Sequence, residues 1–88
     1  MNIQDLEQKL KILSNARRIT ILKHLHKNKT ATVSEISETL KINIYAISKH
    51  LRLLRTAKLV TFTRRGPYVS YRLPLKKDPL LKVVLDQI

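Results

Sequence analysis

The sequence has no cysteine and only one glycine among its 88 residues. Without cysteine, the chain can form no disulfide, no thiolate metal site and no thiol nucleophile. One glycine is too few for the glycine-rich loop with which many enzymes hold phosphate groups. No apolar run approaches the roughly 20 residues that span a bilayer, and the acidic start "MNIQDLEQKL" does not have the form of a signal peptide. We therefore expect a single small, cytoplasmic (intracellular) domain with no membrane partner.

Negative charge is also scarce. Eighteen Lys and Arg outnumber six Asp and Glu, which gives a net charge of +12. All six acids lie in residues 1–38 or 78–88, so residues 39–77 contain cations and no acid. Because ordinary protein surfaces mix both signs, this stretch favours a surface that binds a polyanion over a merely solvated face. Its cations are Lys41, Lys49, Arg52, Arg55, Lys58, Arg64, Arg65, Arg72, Lys76 and Lys77.

The spacing of apolar residues divides the chain into elements. Most segments have helical spacing, and one segment, interrupted by Arg-Gly-Pro, alternates as a β-hairpin does. The predicted fold class is mainly α with a small β-hairpin (α+β), a winged helix-turn-helix formed by a single domain, 1–88. The predicted elements are helices at 1–13, 16–26, 33–40, 44–57 and 78–88, with the helix-turn-helix at 33–57 and the wing at 60–73.

Residues that can cap a helix lie at or next to the predicted helix starts. Thr32 and Glu35 have the spacing of a capping box, in which each side chain binds the backbone N–H of the other residue. Single capping residues are predicted at Asn2, Asn15 and Asp78, the last followed by a proline that suits the first helical position.

The fourth predicted helix is amphipathic, and its polar side carries charge of one sign. At 3.6 residues per turn, its apolar side is formed by Ile44, Ile47, Leu51 and Leu54. Its polar side is formed by Tyr45, Ser48, Lys49, Arg52 and Thr56. Arg and Lys suit guanine edges or phosphates, Ser suits either, and Tyr suits a phosphate or a thymine methyl group. Taken alone, the helix is equally compatible with an ordinary amphipathic helix that has a basic exterior.

Two stretches resemble the ArsR-type family of transcriptional repressors. "LSNARRITILKHL" resembles the opening helix of that family, and "VSEISETLKINIYAISKHLRLLRTAKLVTFTRRGPYVSYRL" resembles its helix-turn-helix and wing. The match covers residues 13–73. The resemblance implies a winged helix-turn-helix that places helix 44–57 in the major groove of DNA and its wing tip, 64–67, on the minor groove or the backbone.

The resemblance also suggests roles for single residues. Ile44 and Tyr45 stand where relatives carry small polar residues; helical spacing turns Ile44 toward the core, whereas the resemblance places it near DNA. Lys41 and Lys58 stand where relatives carry a turn glycine. His50 lies off the basic stripe, so we expect it to pack or to make a structural hydrogen bond. The predicted DNA-binding residues are Asn43, Ile44, Tyr45, Ser48, Lys49, Arg52, Arg55, Arg64, Arg65 and Tyr68.

Metal binding, which is common in this type of repressor, is not expected here. Relatives bind metal through Cys-Val-Cys on the third helix or through Asp and His on the last helix. This chain has Thr32-Val33-Ser34 at the first position and no histidine in the last helix. We therefore expect no metal and no cofactor. Since no catalytic set or carboxylate pair accompanies the basic surface, we expect no enzymatic activity either.

The first and last helices carry more apolar surface than a small core can cover, and in relatives these helices form a homodimer. The predicted interface residues are Ile3, Leu6, Leu10, Leu80, Leu81, Val84, Leu85 and Ile88. The resulting hypothesis is a dimeric, sequence-specific regulator, a repressor, that binds an inverted repeat in double-stranded DNA. The alternatives are a nonspecific architectural or RNA-binding protein and a protein-interaction module with incidental charge.

Overall fold

A computed structural model describes residues 2–88; Met1, the first residue of the predicted first helix, lies outside them. The predicted fold class is confirmed, because the chain is mainly helical with a small antiparallel sheet that forms the wing. None of the helices within residues 2–88 is both long and apolar enough to cross a bilayer. The elements are α1 (Ile3–Leu13), α2 (Ala16–Asn28), β1 (Thr30–Ala31), α3 (Val33–Leu40), α4 (Ile44–Thr56), β2 (Thr61–Arg65), β3 (Tyr68–Arg72) and α5 (Pro79–Asp86).

The predicted capping residues all begin helices. The Thr32 hydroxyl accepts a hydrogen bond from the Glu35 N–H at 3.1 Å, and the Glu35 carboxylate accepts one from the Thr32 N–H at 2.8 Å. This bond from the Thr32 backbone lowers the pKa of Glu35. The two bonds complete the capping box that starts α3. Single side-chain caps start α1, α2 and α5 at Asn2, Asn15 and Asp78.

The hydrophobic core lies between α2, α3, α4 and one face of the sheet. From α4 it takes Ile47, Leu51 and Leu54, which are fully buried. Burying a side chain of this size contributes about 1.5–3 kcal/mol, so the apolar side of α4 anchors the helix and leaves its polar side free. The other buried residues are Ile12, Leu13, Ile21, Leu22, Leu25, Ala31, Ile36, Ala57, Leu59, Val60, Leu81 and Leu85.

Two residues predicted at a dimer interface lie in this core instead. Leu81 and Leu85 are one helical turn apart on α5, and both are buried where α5 packs against α2. Their side chains therefore cannot reach a second copy of the chain, and the predicted interface is corrected by removing them. Leu80 and Val84, on the adjoining flank of α5, are only half-buried.

The sheet has three antiparallel strands in the order β1-β3-β2. β1, which the sequence does not predict, pairs Thr30 with Arg72 and Ala31 with Tyr71. β2 and β3 form the predicted wing. Their turn places Gly66 at φ 59°, the sign that the first central position of a type II′ turn requires.

The turn between α3 and α4 is closed without a glycine. Lys41 has φ 56°, a left-handed conformation that costs a residue with a Cβ about 1–2 kcal/mol. The Ser37 hydroxyl donates to the Ile42 carbonyl at 2.6 Å, and the Ile42 N–H donates to the Ser37 carbonyl at 3.3 Å. These bonds set the position of α4 relative to α3. Lys58, after α4, is also left-handed, at φ 62°.

Candidate nucleic-acid interface

One side of α4 is open to solvent along the whole helix. Tyr45 is 81% exposed, and Lys49 and Arg52 are exposed as well. Their spacing of four and three residues places them in one stripe opposite the buried Ile47. The stripe ends at Thr56, whose hydroxyl donates to the Arg52 carbonyl at 2.9 Å. We call these four exposed residues the α4 stripe; it presents two cations, a phenol and a hydroxyl to a partner.

The first turn of α4 extends this surface with apolar atoms. The Asn43 side chain accepts a hydrogen bond from the Tyr45 N–H at 2.8 Å, a bond that uses only its carbonyl oxygen. Ile44 is 39% exposed and therefore lies at the solvent boundary. Leu40 and Ile42 pack against the core nearby. Helical spacing turns Ile44 toward the core, whereas the resemblance places it outward, near DNA. The exposure of Ile44 agrees with the outward placement.

Two further predicted DNA-binding residues flank the α4 stripe. Ser48 is half-buried, whereas Arg55 is exposed. The guanidinium carbon of Arg55 lies 4.4 Å from the centre of the Phe62 ring in β2. The Phe62 ring in turn lies 5.9 Å, centroid to centroid, from that of Tyr71. A stacked guanidinium keeps the N–H groups at its edge available for hydrogen bonds, so Arg55 is held between the helix and the wing.

The two arginines at the wing tip lie on opposite faces of the sheet, because successive residues of a strand point to opposite faces. Arg64 shares a face with Phe62, the face that is turned toward α4. Arg65 pairs with Tyr68 on the other face. Arg64, Arg65 and Tyr68 are all exposed. The strand register thus separates two neighbouring arginines that look equivalent in the sequence.

Positive charge predominates in this part of the molecule. Residues 39–77 contain no acid. Across residues 2–88 the structure shows ion pairs between Lys9 and Asp78 and between Lys11 and Glu7, and neither involves α4 or the wing. Asp5 of α1 lines one cavity together with Thr56 and Lys58, at the C-terminal end of α4. The rest of α4 and the wing carries an excess of positive charge, and such a surface attracts and steers polyanions.

Arg18 ties α4 to the helices that precede it, a link that the sequence does not predict. Its Nε donates to the Ile12 carbonyl at 2.6 Å, and its Nη1 lies 3.3 Å from Nδ1 of His50. Burial, followed by the charges of Arg18, Arg17 and Lys49, lowers the pKa of His50. A neutral His50 can accept the Arg18 hydrogen bond, so the expected structural hydrogen bond of His50 is confirmed.

The positions at which relatives carry metal-binding cysteines serve here to start a helix. Thr32 caps α3, and Ser34 lies in its first turn. In the part of the chain that the structure describes, no three His, Asp or Glu side chains come together in a geometry that could hold a metal ion.

An apolar surface lies apart from the basic one, on α1 and α5. On α1, Ile3 is 85% and Leu10 is 50% exposed, and with Leu6 they line a shallow groove of about 420 Å³. On α5, Val83 is exposed, although it was not among the predicted interface residues, and Ile88, which follows the end of α5 at Asp86, is exposed as well. The exposed residues on α1 are the apolar stripe that the sequence places there.

One ion pair joins the two helices that carry this apolar surface. Lys9 of α1 donates to the carboxylate of Asp78, which also accepts a hydrogen bond from the Leu80 N–H at 2.8 Å. Burial raises the pKa of Asp78, but these two hydrogen bonds outweigh it, and the pKa lies below its ordinary value. One carboxylate therefore both caps α5 and fastens it to α1.

The chain matches a known family model, described as a helix-turn-helix domain, over residues 13–61, more than half of its length. It is similar to the solved structure of the transcriptional regulator HlyU from Vibrio vulnificus CMCP6, with 34% identity, a TM-score of 0.74 and coverage of 99% of this chain and 94% of that one. Reduced HlyU from Vibrio cholerae N16961 has 30% identity and a TM-score of 0.78, over 96% of this chain and 84% of that one.

A third similar structure is the homodimeric winged helix-turn-helix DNA-binding domain of Mb0332 from Mycobacterium bovis, a possible ArsR-family transcriptional regulator. It has 26% identity and a TM-score of 0.82, over 97% of this chain and 77% of that one. No curated protein sequence matches the chain significantly. The three structures share with this chain the arrangement of helices and wing that carries the α4 stripe.

Proposed function

Because this chain belongs to the helix-turn-helix family, as an ArsR-type winged helix-turn-helix protein without metal-binding cysteines, we propose that it is a dimeric, sequence-specific regulator of transcription that binds double-stranded DNA. In this proposal α4 enters the major groove, and the wing tip, 64–67, rests on the minor groove or the backbone. The regulator acts as a repressor inside the cell, with no metal, cofactor or catalytic activity of its own.

The α4 stripe is the observation that carries the proposal. A helix of 10–12 Å diameter fits a major groove that is about 12 Å wide. Lys49 and Arg52 supply the donors that suit O6 and N7 of guanine, and Ile44 supplies an apolar contact for a thymine methyl group. Since the apolar side of α4 is held in the core, the stripe is available along its full length.

The apolar surface on α1 and α5 supports a second copy as partner. Ile3 and Leu10 on α1 and Val83 on α5 are apolar side chains that a single chain leaves exposed. A second copy of the chain carries the same exposed apolar side chains. An interface that is related by two-fold symmetry would bury both sets against each other. The Mb0332 domain, which has the same fold, is homodimeric.

Two-fold symmetry of such a dimer determines the form of the DNA site. The two copies of α4 would enter successive major grooves, whose centres lie about 34–36 Å apart along the duplex. Because the copies are related by a two-fold axis, the site reads as an inverted repeat.

Selection of bound fragments from a random-sequence duplex pool tests the DNA-binding part of the proposal. We expect an inverted repeat, bound about 10³-fold or more tightly than bulk genomic DNA. Fragments that share no motif would contradict sequence-specific recognition and favour a nonspecific architectural protein. Equal affinity for duplex RNA would favour an RNA-binding protein.

Sedimentation of the protein without DNA tests the dimer. We expect a species of about twice the chain mass of 10.3 kDa, and a single 10.3 kDa species at micromolar concentration would contradict the dimer. A reporter gene with the selected site in its promoter tests the direction of regulation. Its expression should fall when the protein is produced, and a rise would identify an activator.

A further inference from the structure

The outer sheet face, which points away from α4, extends well beyond the wing tip. The register defines it, because Thr61 pairs with Arg72, Thr63 with Ser70 and Arg65 with Tyr68, while Thr30 of β1 also pairs with Arg72. The opposite face carries Phe62 and Tyr71, which lie toward α4 and the core. The outer sheet face is therefore a surface distinct from the α4 stripe, although it begins at the same wing tip.

The outer sheet face consists of hydroxyl and guanidinium groups. Its members are Thr30, Thr61, Thr63, Arg65, Tyr68, Ser70 and Arg72, with no carboxylate among them. Six of these residues line a cavity of about 500 Å³. Hydroxyl groups of Ser, Thr and Tyr, together with Arg and Lys, are the groups that bind phosphate oxygens in protein–DNA complexes. The chemistry of this face therefore matches a nucleic-acid backbone.

A second cavity of mixed lining continues the outer sheet face. It has a volume of about 330 Å³ and shares Thr30 and Arg72 with the first cavity. It adds the cations Lys29 and Lys77 and the side chain of His26, and its remaining lining is apolar: Leu25, Leu73, Pro74 and Leu75. The macrodipole of α2 favours a cation at Lys29, which caps the C-terminus of that helix. The dipole does not account for Arg72 and Lys77, which belong to β3 and to the segment before α5. Cations thus lie along a surface that runs from the wing tip to the end of α2.

Lys29 has a strained backbone at the far end of this surface. Its φ of 73° and ψ of −61° lie outside the regions that residues with a Cβ prefer. Glycine would relieve much of that strain, yet the position carries a cation. Strain of this kind persists where the surrounding structure enforces it, and it concentrates at ligand-binding positions.

We propose that this surface, named the flanking track and defined by Arg65, Arg72, Lys29 and Lys77, binds phosphates of the DNA that flanks each half-site. The inference rests on the proposed function and adds to it a contact outside the inverted repeat. Because the track lies on the face turned away from α4, the duplex must bend around the wing to reach it. Deformable flanking sequences are therefore favoured, although no base is read there.

Two duplexes that carry the selected inverted repeat test the proposal. The short one ends at the half-sites, and the long one extends each side by about one and a half helical turns. We expect the wild type to bind the long duplex about tenfold more tightly, and the double variant Arg72→Gln with Lys29→Gln to lose most of that gain. On the long duplex, the slope of log K against log salt should decrease in magnitude by about 0.9 for each phosphate that the double variant no longer neutralises.

A charge-matched control is Lys23→Gln with Lys27→Gln, which removes two exposed cations of α2 that lie outside the track. This control should keep the length dependence, and so should the charge-conserving pair Arg72→Lys with Lys29→Arg. If the first pair fails to fold by circular dichroism, Lys77→Gln, which lies in the track but outside the wing tip, replaces it.

Two results would overturn the flanking track. One is equal affinity of the wild type for both duplexes, and the other is an equal loss of the length dependence in the track pair and in the control pair. Failure of the proposed function looks different, because the protein would then bind neither duplex specifically. Lys49→Ala on the α4 stripe should weaken binding to both lengths by the same factor.

Discussion

The guanidinium of Arg55 lies over the ring of Phe62, with 4.4 Å between the guanidinium carbon and the ring centre. Arg55 belongs to the last turn of α4 and Phe62 to β2, so this contact joins the helix proposed for the major groove to the wing proposed for the minor groove. Exposed cation–π contacts contribute about 0.5–1 kcal/mol. This contribution is small compared with the stabilisation that the buried core provides. The importance of the contact is that it aligns α4 with the wing.

Phe62→Leu should therefore weaken DNA binding while the chain remains folded. Leucine keeps an apolar side chain on the same face of β2 but removes the ring on which Arg55 stacks. We expect affinity for the selected site to fall about two- to fivefold, the factor that corresponds to 0.5–1 kcal/mol. Arg55→Ala, made alone and together with Phe62→Leu, completes a double-mutant cycle. Fully additive losses would show that the stacked contact plays no part in binding.

Arg52→Ala should change which sequences are bound as well as how tightly. Arg52 lies in the middle of the α4 stripe, and a bidentate contact from arginine to guanine discriminates by about 1–3 kcal/mol. We expect weaker binding and a relaxed base preference at one position per half-site, measured with single-base variants of the selected site. Arg64→Ala, at the wing tip, should instead weaken binding to all these variants similarly. If Arg52→Ala left affinity and preference intact, α4 would not be the recognition helix.

Lys41→Gly should stabilise the protein while it removes a charge. The left-handed backbone at Lys41 costs about 1–2 kcal/mol with a Cβ present, and the greater freedom of glycine in the unfolded chain offsets part of the gain. We expect the free energy of unfolding to rise by about 0.5–1 kcal/mol, a few degrees in Tm. Lys41→Gln removes the same charge without relieving the backbone. An equal gain in Lys41→Gln would assign the effect to reduced repulsion among cations.

The parts of the fold that follow from local chemistry could be predicted from the sequence. The capping box of Thr32 and Glu35, the positive φ at Gly66 and the apolar spacing of α4 depend on residues that are close in the chain. These features place the helix-turn-helix and the wing. The stripe on α4 follows from them, because a helix with one side in the core exposes the other.

What could not be predicted depends on which distant surfaces meet. The two-residue strand β1 leaves no periodic signal, and the bond between Arg18 and His50 joins residues of different helices. Leu81 and Leu85 belong to an apolar helix whose sequence does not show which of its sides faces the chain's own core. The separation of Arg64 from Arg65 requires the strand register. In each case the missing information is tertiary.

His50 should make the stability of the fold depend on pH below neutrality. Its pKa is lowered in the folded protein, so as pH falls the unfolded chain, with an ordinary value of 6.5, takes up the proton first. The stability contributed by neutral His50 is therefore present above about pH 6.5 and is lost as pH falls toward the lower folded value. We expect a smaller drop in Tm from pH 7.5 to pH 5.5 in His50→Gln, whose amide oxygen can accept from Arg18 without titrating.

The control for this pH dependence is His26→Gln, since His26 is exposed and lies outside the bond between Arg18 and His50. It should retain the drop in Tm of the wild type. A drop of the same size in His50→Gln and in the wild type would show that other groups govern stability in this pH range.

Leu10→Glu should separate the proposed dimer into single chains with little effect on their fold. Leu10 is 50% exposed on the apolar surface of α1 and lies outside the core, so a carboxylate there is solvated in one chain but must lose its water when two copies meet. We expect sedimentation to shift from about twice 10.3 kDa to 10.3 kDa. Affinity for the inverted repeat should fall as well, because each half-site is then bound independently. Leu75→Glu is the matched control for sedimentation: Leu75 is 93% exposed, was not predicted at the dimer interface, and its substitution makes the same change of charge. Its affinity for DNA is not compared, because Leu75 lines the cavity that contains Arg72 and Lys77 of the flanking track. Dissociation by both variants would indicate a general effect of charge, and a dimer that survives Leu10→Glu would place the contact between copies elsewhere.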